Sequence, residues 1–337
     1  MIRKPIFILE GIKITTFCII SAAVFTFLGL DHHSLLILFN MSVMFTVATF
    51  SPSKKPLSLL IEGAGIIIIS TLVGGIISFY LPELSGLITI CYGTLAFLIP
   101  RFKSQSNIFI IGALVFSISV AFPFDFYKAS ILALCSIILI IIFLLTYWIF
   151  DKHIIYRSRT YYKKIYNSQR YTLSLICFSS LVIATFITSY LKHFNEVGHL
   201  YWINITILAI LQSSSEGMIR KTAITRIVVN AIGAFIIIFL MSFIMPNIFW
   251  INFIFLSLLL FGIFAIGYSF STRTLLIEMF VLSLTHLLGQ YHHILSIDRI
   301  LLTMIGGSLV IITGFIVTRF IKNNDKEETI EHQTFSV

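Results

Sequence analysis

An all-α, multi-pass membrane protein is the fold class this sequence predicts. The apolar content, the spacing of its interruptions and the side on which the basic residues fall all point there. Of 337 residues, 58% are hydrophobic and only 11% are charged, with a mean hydropathy of +1.01; a water-soluble surface needs far more charge than that. A bilayer core asks for about 20 apolar residues per crossing helix, and the chain is a succession of such stretches parted by short polar turns. A barrel would require strands alternating polar and apolar residues, which are not seen.

Twelve spans are expected, at 12–30, 34–50, 57–81, 84–100, 107–124, 129–150, 171–191, 199–214, 222–245, 247–268, 273–290 and 299–321. Short turns make sequential helices antiparallel neighbours. Residues 1–150 form a first six-helix unit and 171–321 a second. The basic, Tyr-rich linker 151–170 suits the headgroup surface of a membrane, whereas the polar tail 322–337 lacks apolar periodicity and is expected to be disordered. The first apolar run follows Arg3, Lys4 and Lys13 and reads as a retained span, since it is too long for a cleavable leader.

Placing both termini in the cytoplasm leaves only Lys128, Lys192 and Arg299 of the 23 basic residues on the far side. That asymmetry is the positive-inside pattern, and it accounts for the net charge of +9 without nucleic acid as a partner. Cys18, Cys91, Cys135 and Cys177 lie within apolar segments at no metal-ligand spacing and read as small packing residues.

The second six spans can be laid over the first in parallel orientation. Asn40-Met-Ser42 matches Asn204-Ile-Thr206, and Ser70-Thr71-Leu-Val-Gly74 matches Val229-Asn230-Ala-Ile-Gly233. The position of Arg226 is Ile67 in the first copy, so the charge is asymmetric. Within 201–233, Trp202, Thr206 and Ser213 share one helix face, and Arg226, Asn230 and Gly233 share a face of the next. Polar groups inside membrane spans are costly unless they face protein or water, which marks both stripes as a candidate site.

Trp202, Thr206, Gln212-Ser213, Arg226 and Gly233 together resemble the signature of the fusaric acid resistance (FUSC) family of aromatic acid exporters. That signature runs W-x3-T-x5-Q-P-S, then a basic loop, then R-x2-G-T-x2-G; here a serine replaces the proline and Val229-Asn230 replaces Gly-Thr. The resemblance implies an inner-membrane transporter exporting small aromatic or other carboxylic acids. It also implies a periplasmic adaptor protein as a candidate partner, with further copies of the chain another, and a relation to plant malate-permeable channels. A passive anion channel and a non-transporting envelope scaffold are the alternatives.

The expected pathway lining is Asn40, Ser42, Thr71, Trp202, Asn204, Thr206, Gln212, Arg226 and Asn230. Glu62, Glu278 and His286 are candidates for carrying a proton, since ionisable groups inside spans can form relays. The plainer readings are an interfacial anchor, or a partner for Glu216 or Glu62, for Arg226, and ion pairs of Glu278 with Arg273 and Glu62 with Lys221. Gly74-Gly75, Gly233, Gly306-Gly307 and Gly314 are expected at close helix approaches. No phosphate-binding loop, G-x-S-x-G or H-E-x-x-H motif is present, so neither ATP, another cofactor, a metal nor an enzymatic activity is expected.

Overall fold

The computed structural model of the chain describes residues 3–49, 57–100, 103–151, 167–192, 199–213, 216–243, 249–265, 269–287 and 293–334. Among them are twelve α-helices and no strand. The helices are α1 Arg3–Phe27, α2 His32–Thr49, α3 Leu57–Tyr80, α4 Pro82–Leu98, α5 Lys103–Val120, α6 Phe126–Asp151, α7 Asn167–Lys192, α8 Tyr201–Ser213, α9 Ile219–Phe243, α10 Phe249–Ala265, α11 Phe270–Leu287 and α12 His293–Thr334. A single 3-10 turn, Glu216–Met218, leads into α9. Every expected span has its helix. Most of the 151–170 linker lies outside the described residues.

Local chemistry sets several helix ends. Asp31 accepts a hydrogen bond from the Ser34 N–H at 2.6 Å, and Asp125 accepts one from the Lys128 N–H at 2.8 Å, each satisfying a first-turn donor of the helix that follows. Ser269 does the same for Thr272 at 3.0 Å. Gly29 adopts φ +65 just beyond α1, a left-handed conformation that ends a helix at little cost only for glycine. α12 differs from expectation because it runs on to Thr334, through most of the tail expected to be disordered. Lys, Glu and Gln are good helix formers, and extending an existing helix needs no new nucleus.

Among the described residues, six helices are long and apolar enough to cross a membrane: Phe7–Phe27, Leu59–Tyr80, Phe126–Phe150, Ser168–Lys192, Ile219–Leu240 and Ser296–Ile321. Five shorter apolar helices accompany them: His32–Ala48, Pro82–Leu98, Ser106–Val120, Tyr201–Ser213 and Phe253–Ala265. Large apolar side chains such as Phe27, Leu134, Phe186, Phe235 and Phe315 are exposed on the outside of the bundle, where lipid would cover them. Inside, several buried hydroxyls are satisfied within their own helices. Ser21, Ser117, Ser136 and Thr146 donate to the carbonyls of Phe17, Ala113, Leu132 and Ile142 at 2.7 to 2.9 Å, leaving no exposed backbone demand in an apolar surround.

The helix pairings recur. α3 packs on α5 as α9 packs on α11, and α6 touches α1, α2 and α3 as α12 touches α7, α8 and α9. Across the two halves, α4 packs on α7 and α10 on α1. At the end of the bundle distal to the N terminus, Lys128 pairs with Asp31 at 3.0 Å. There too Phe122 packs edge-on against Tyr201, with centroids 6.0 Å apart. At the opposite end, the Arg170 guanidinium donates to the Ile99 carbonyl at 3.1 Å and to that of Leu98, capping α4 from the start of α7. Cys18, Cys135 and Cys177 are buried as packing residues, but Cys91 is exposed, because its position on α4 turns outward.

Candidate functional site

Two glycine contacts bring the site together. A Cβ on Gly306 would lie 2.9 Å from the Ile203 carbonyl and 3.0 Å from Thr206 Cβ, and one on Gly307 would lie 2.6 Å from Ile227 Cδ1. The adjacent glycines therefore let α12 press against α8 with one face and α9 with the next. Gly233 likewise admits α11, since its Cβ would stand 3.1 Å from both Cβ and Cγ of Glu278. Gly74 and Gly75 serve the same end in the first half, against Phe116, Ser119 and Phe124. Gly314 does not, its nearest neighbour being 3.5 Å away.

Charges collect where α8, α9, α11 and α12 converge. Glu278 and Arg299 are buried and form an ion pair between α11 and α12. The Arg299 guanidinium lies over the Trp202 ring, 3.7 Å from its centroid, a cation–π contact whose strength grows out of water. Arg226, on α9, is close enough to interact electrostatically with both Glu278 and Arg299. Its Nε is buried and has no hydrogen-bond partner among the described residues. Asn230, one turn further along α9, reaches Thr303 on α12 through a long 3.4 Å bond from Nδ2, while its Oδ1 is buried without a partner. Two guanidiniums thus face one carboxylate, with polar atoms still unsatisfied beside them.

The expected residues divide cleanly. Trp202, Arg226, Asn230 and Glu278 come together, and Thr206 is buried beside them against Gly306. Asn204 lies two residues beyond Trp202, about 200° around α8, and its buried Oδ1 has no hydrogen-bond partner among the described residues. Gln212 is half-buried toward the end of α8. In the first half, Ser42 and Thr71 are buried but donate to Leu38 and Ile67 of their own helices, and Asn40 is half-buried. Among the described residues, no hydrogen bond or ion pair joins these three to the cluster. Glu62 is exposed on α3. The His286 side chain lies outside the described residues.

One pairing is corrected. Glu278 pairs with Arg299 and not with Arg273, which is exposed and stands 5.9 Å over the Phe264 ring. Arg299, expected in a turn on the far side, is in the second turn of α12 and faces inward. The signal for it was available: Ser296, Arg299, Thr303, Gly306, Val310 and Thr313 recur at spacings of three and four, and all are buried. Among the described residues, no group of three potential metal ligands occurs.

Fold and cluster define a multi-pass helical membrane protein with a buried, cation-rich polar site. Residues 168–313, a little under half the chain, match the model of the fusaric acid resistance protein-like family. Every residue of the cluster lies inside that stretch. No curated protein and no solved structure matches the chain.

Proposed function

We propose that the protein exports small organic acids, aromatic or otherwise carboxylic, as anions across the cell inner membrane, moving them unaltered rather than acting on them as an enzyme. The observation that carries this reading is the excess, among the described residues of the cluster, of guanidinium over carboxylate, together with Arg226 Nε and Asn230 Oδ1, which have no hydrogen-bond partner among those residues. A guanidinium presents a planar fork of donors that fits a carboxylate, and a carboxylate entering here would replace missing partners rather than displace existing ones.

The basic-residue asymmetry supports cytoplasmic termini, and the recurring helix pairings support two six-helix repeats. In that orientation Arg220 and Lys221, both exposed at the start of α9, stand at the cytoplasmic mouth and would concentrate anions there. An inside-negative potential then favours exit by roughly 2.3 kcal/mol per charge for each 100 mV, so the membrane potential can drive export. A proton gradient acting through Glu278 is the other source of coupling. A periplasmic adaptor and further copies of the chain remain the candidate partners.

The test is uptake of labelled benzoate into inverted vesicles, with the potential and the pH gradient collapsed separately. We expect uptake to fall with Arg226→Ala and Asn230→Leu at matched membrane abundance. Normal transport by stable variants would leave the polar stripes as helix glue and favour the scaffold; transport with both gradients collapsed, down the benzoate concentration alone, would make the protein a channel.

A further inference from the structure

We propose that Glu278 sets the valence of the anion the site accepts, restricting it to monocarboxylates; the proposal rests on the carboxylate-transport reading above. Among the described residues, the charged groups of the cluster are Arg226, Arg299 and Glu278. Arg299 is already engaged, by Glu278 on one side and by the face of Trp202 on the other. Arg226 shares only the field of that same carboxylate, so among the described residues the cluster carries one positive charge in excess. Asp298, next to Arg299 in sequence, interacts with His199 at the distal end of the bundle and is only half-buried, so water screens it from the cluster far more than the cluster's members are screened from one another.

An uncompensated charge inside a low-dielectric interior is expensive. One carboxylate brings the cluster to neutrality, whereas a second negative charge on the same ligand leaves an excess anion with no partner. Glu278 therefore acts as a built-in anion that occupies the place a second substrate carboxylate would take. Converting it to the neutral amide leaves two guanidiniums for the substrate. The change keeps the side chain's shape, which matters because Glu278 packs so closely on Gly233 that a Cβ there would lie 3.1 Å from its Cβ and Cγ.

The experiment compares benzoate with phthalate, which carries a second carboxylate on the same ring, in inverted vesicles at a pH where both are fully ionised. Wild type is expected to favour benzoate by at least about tenfold, the factor corresponding to one modest electrostatic interaction. Glu278→Gln should lower that ratio by about tenfold or more. Because Glu278→Gln could fail to fold, Asn230→Asp supplies a second reading: it adds a negative charge, neutralises the cluster and should depress benzoate uptake well below that of Asn230→Leu. Equal wild-type handling of the two acids, an unchanged ratio in a folded Glu278→Gln, or equal benzoate uptake by the two Asn230 variants would each overturn the proposal while leaving carboxylate transport intact. Transport of neither acid by wild type would overturn both readings together.

Discussion

A guanidinium inside a bilayer can meet a carboxylate, an aromatic face or a ligand, and the two arginines of the cluster differ in what they have found. Arg299 has the first two, and among the described residues Arg226 has only a share in the field of the same carboxylate. Arg226→Lys should preserve the charge but lose the planar fork, lowering benzoate uptake roughly tenfold, the worth of one charge-assisted hydrogen bond. Arg226→Ala should lose more. Equal transport by all three proteins would return Arg226 to the role of an interfacial anchor. Individually, Trp202, Arg226, Asn230 and Glu278 were legible as polar intrusions into apolar helices. Arg299, which joins Glu278 to Trp202, was missed, because an arginine six residues into a helix looks like a turn residue when the helix start is placed late.

At the distal turns, Asp31 is a residue whose role is structural and whose pH dependence can be worked out. Partial burial disfavours its charged form, but the Ser34 N–H and the Lys128 ammonium outweigh that and hold its pKa down at about 2, from an ordinary 3.8. A depressed carboxylate contributes stability that is complete above its unfolded pKa and disappears as pH falls through the folded one. Asp31→Ala should therefore cost about 1 kcal/mol at pH 7, as loss of a helix cap does, and clearly less near pH 2, where the carboxylate is about half protonated. Thermal unfolding of purified protein at the two pH values checks this; an equal deficit at both would remove the electrostatic account.

At the scale of elements, α12 organises the second half because it touches α7, α8 and α9 and carries both the charge and the glycines that admit it. Gly306→Val would drive a side chain into the Ile203 carbonyl, a backbone atom that cannot swing aside. The cost should be about 1–3 kcal/mol, typical of overpacking. Gly314→Ala is the matched control: the new methyl would meet ordinary contacts at 3.5 Å or more, and helix propensity favours alanine. Its unfolding temperature should be unchanged or raised. A tolerated Gly306→Val would mean that α12 and α8 are further apart than described. The sequence pointed to all these glycines alike as packing sites. It could not separate Gly306 from Gly314, since one faces a neighbouring backbone and the other faces side chains at ordinary distance.

For the whole molecule, orientation is the property most open to direct measurement. A single cysteine at residue 160, in a chain otherwise free of cysteine, should be protected from an impermeant external reagent in intact cells and labelled after permeabilisation. Labelling from outside would invert the bundle and move the basic mouth to the wrong side for export. The two halves also differ in charge despite their matching helix pairings. The described first half buries the Glu10–Lys13 ion pair within α1, and around Gly74 and Gly75 it presents aromatic rings and Ser119 where the second half presents Glu278.

The sequence by itself determined the membrane class, the helix count and, to within a few residues, most helix boundaries. Hydropathy and turn residues act over neighbouring positions, and such local signals survive without knowledge of the fold. It also marked 201–233 as the region of interest, because a polar residue in a span is anomalous wherever the helix ends up. Tertiary structure decided which of those residues share a site. Glu278 and Arg299 stand on different helices, and whether they pair depends on how α11 and α12 are turned against α8 and α9. It also gave the hydroxyls of Ser42 and Thr71 partners on their own helices, as a hydroxyl inside a helix can satisfy itself on its own carbonyls, whereas a buried guanidinium must reach beyond its own helix.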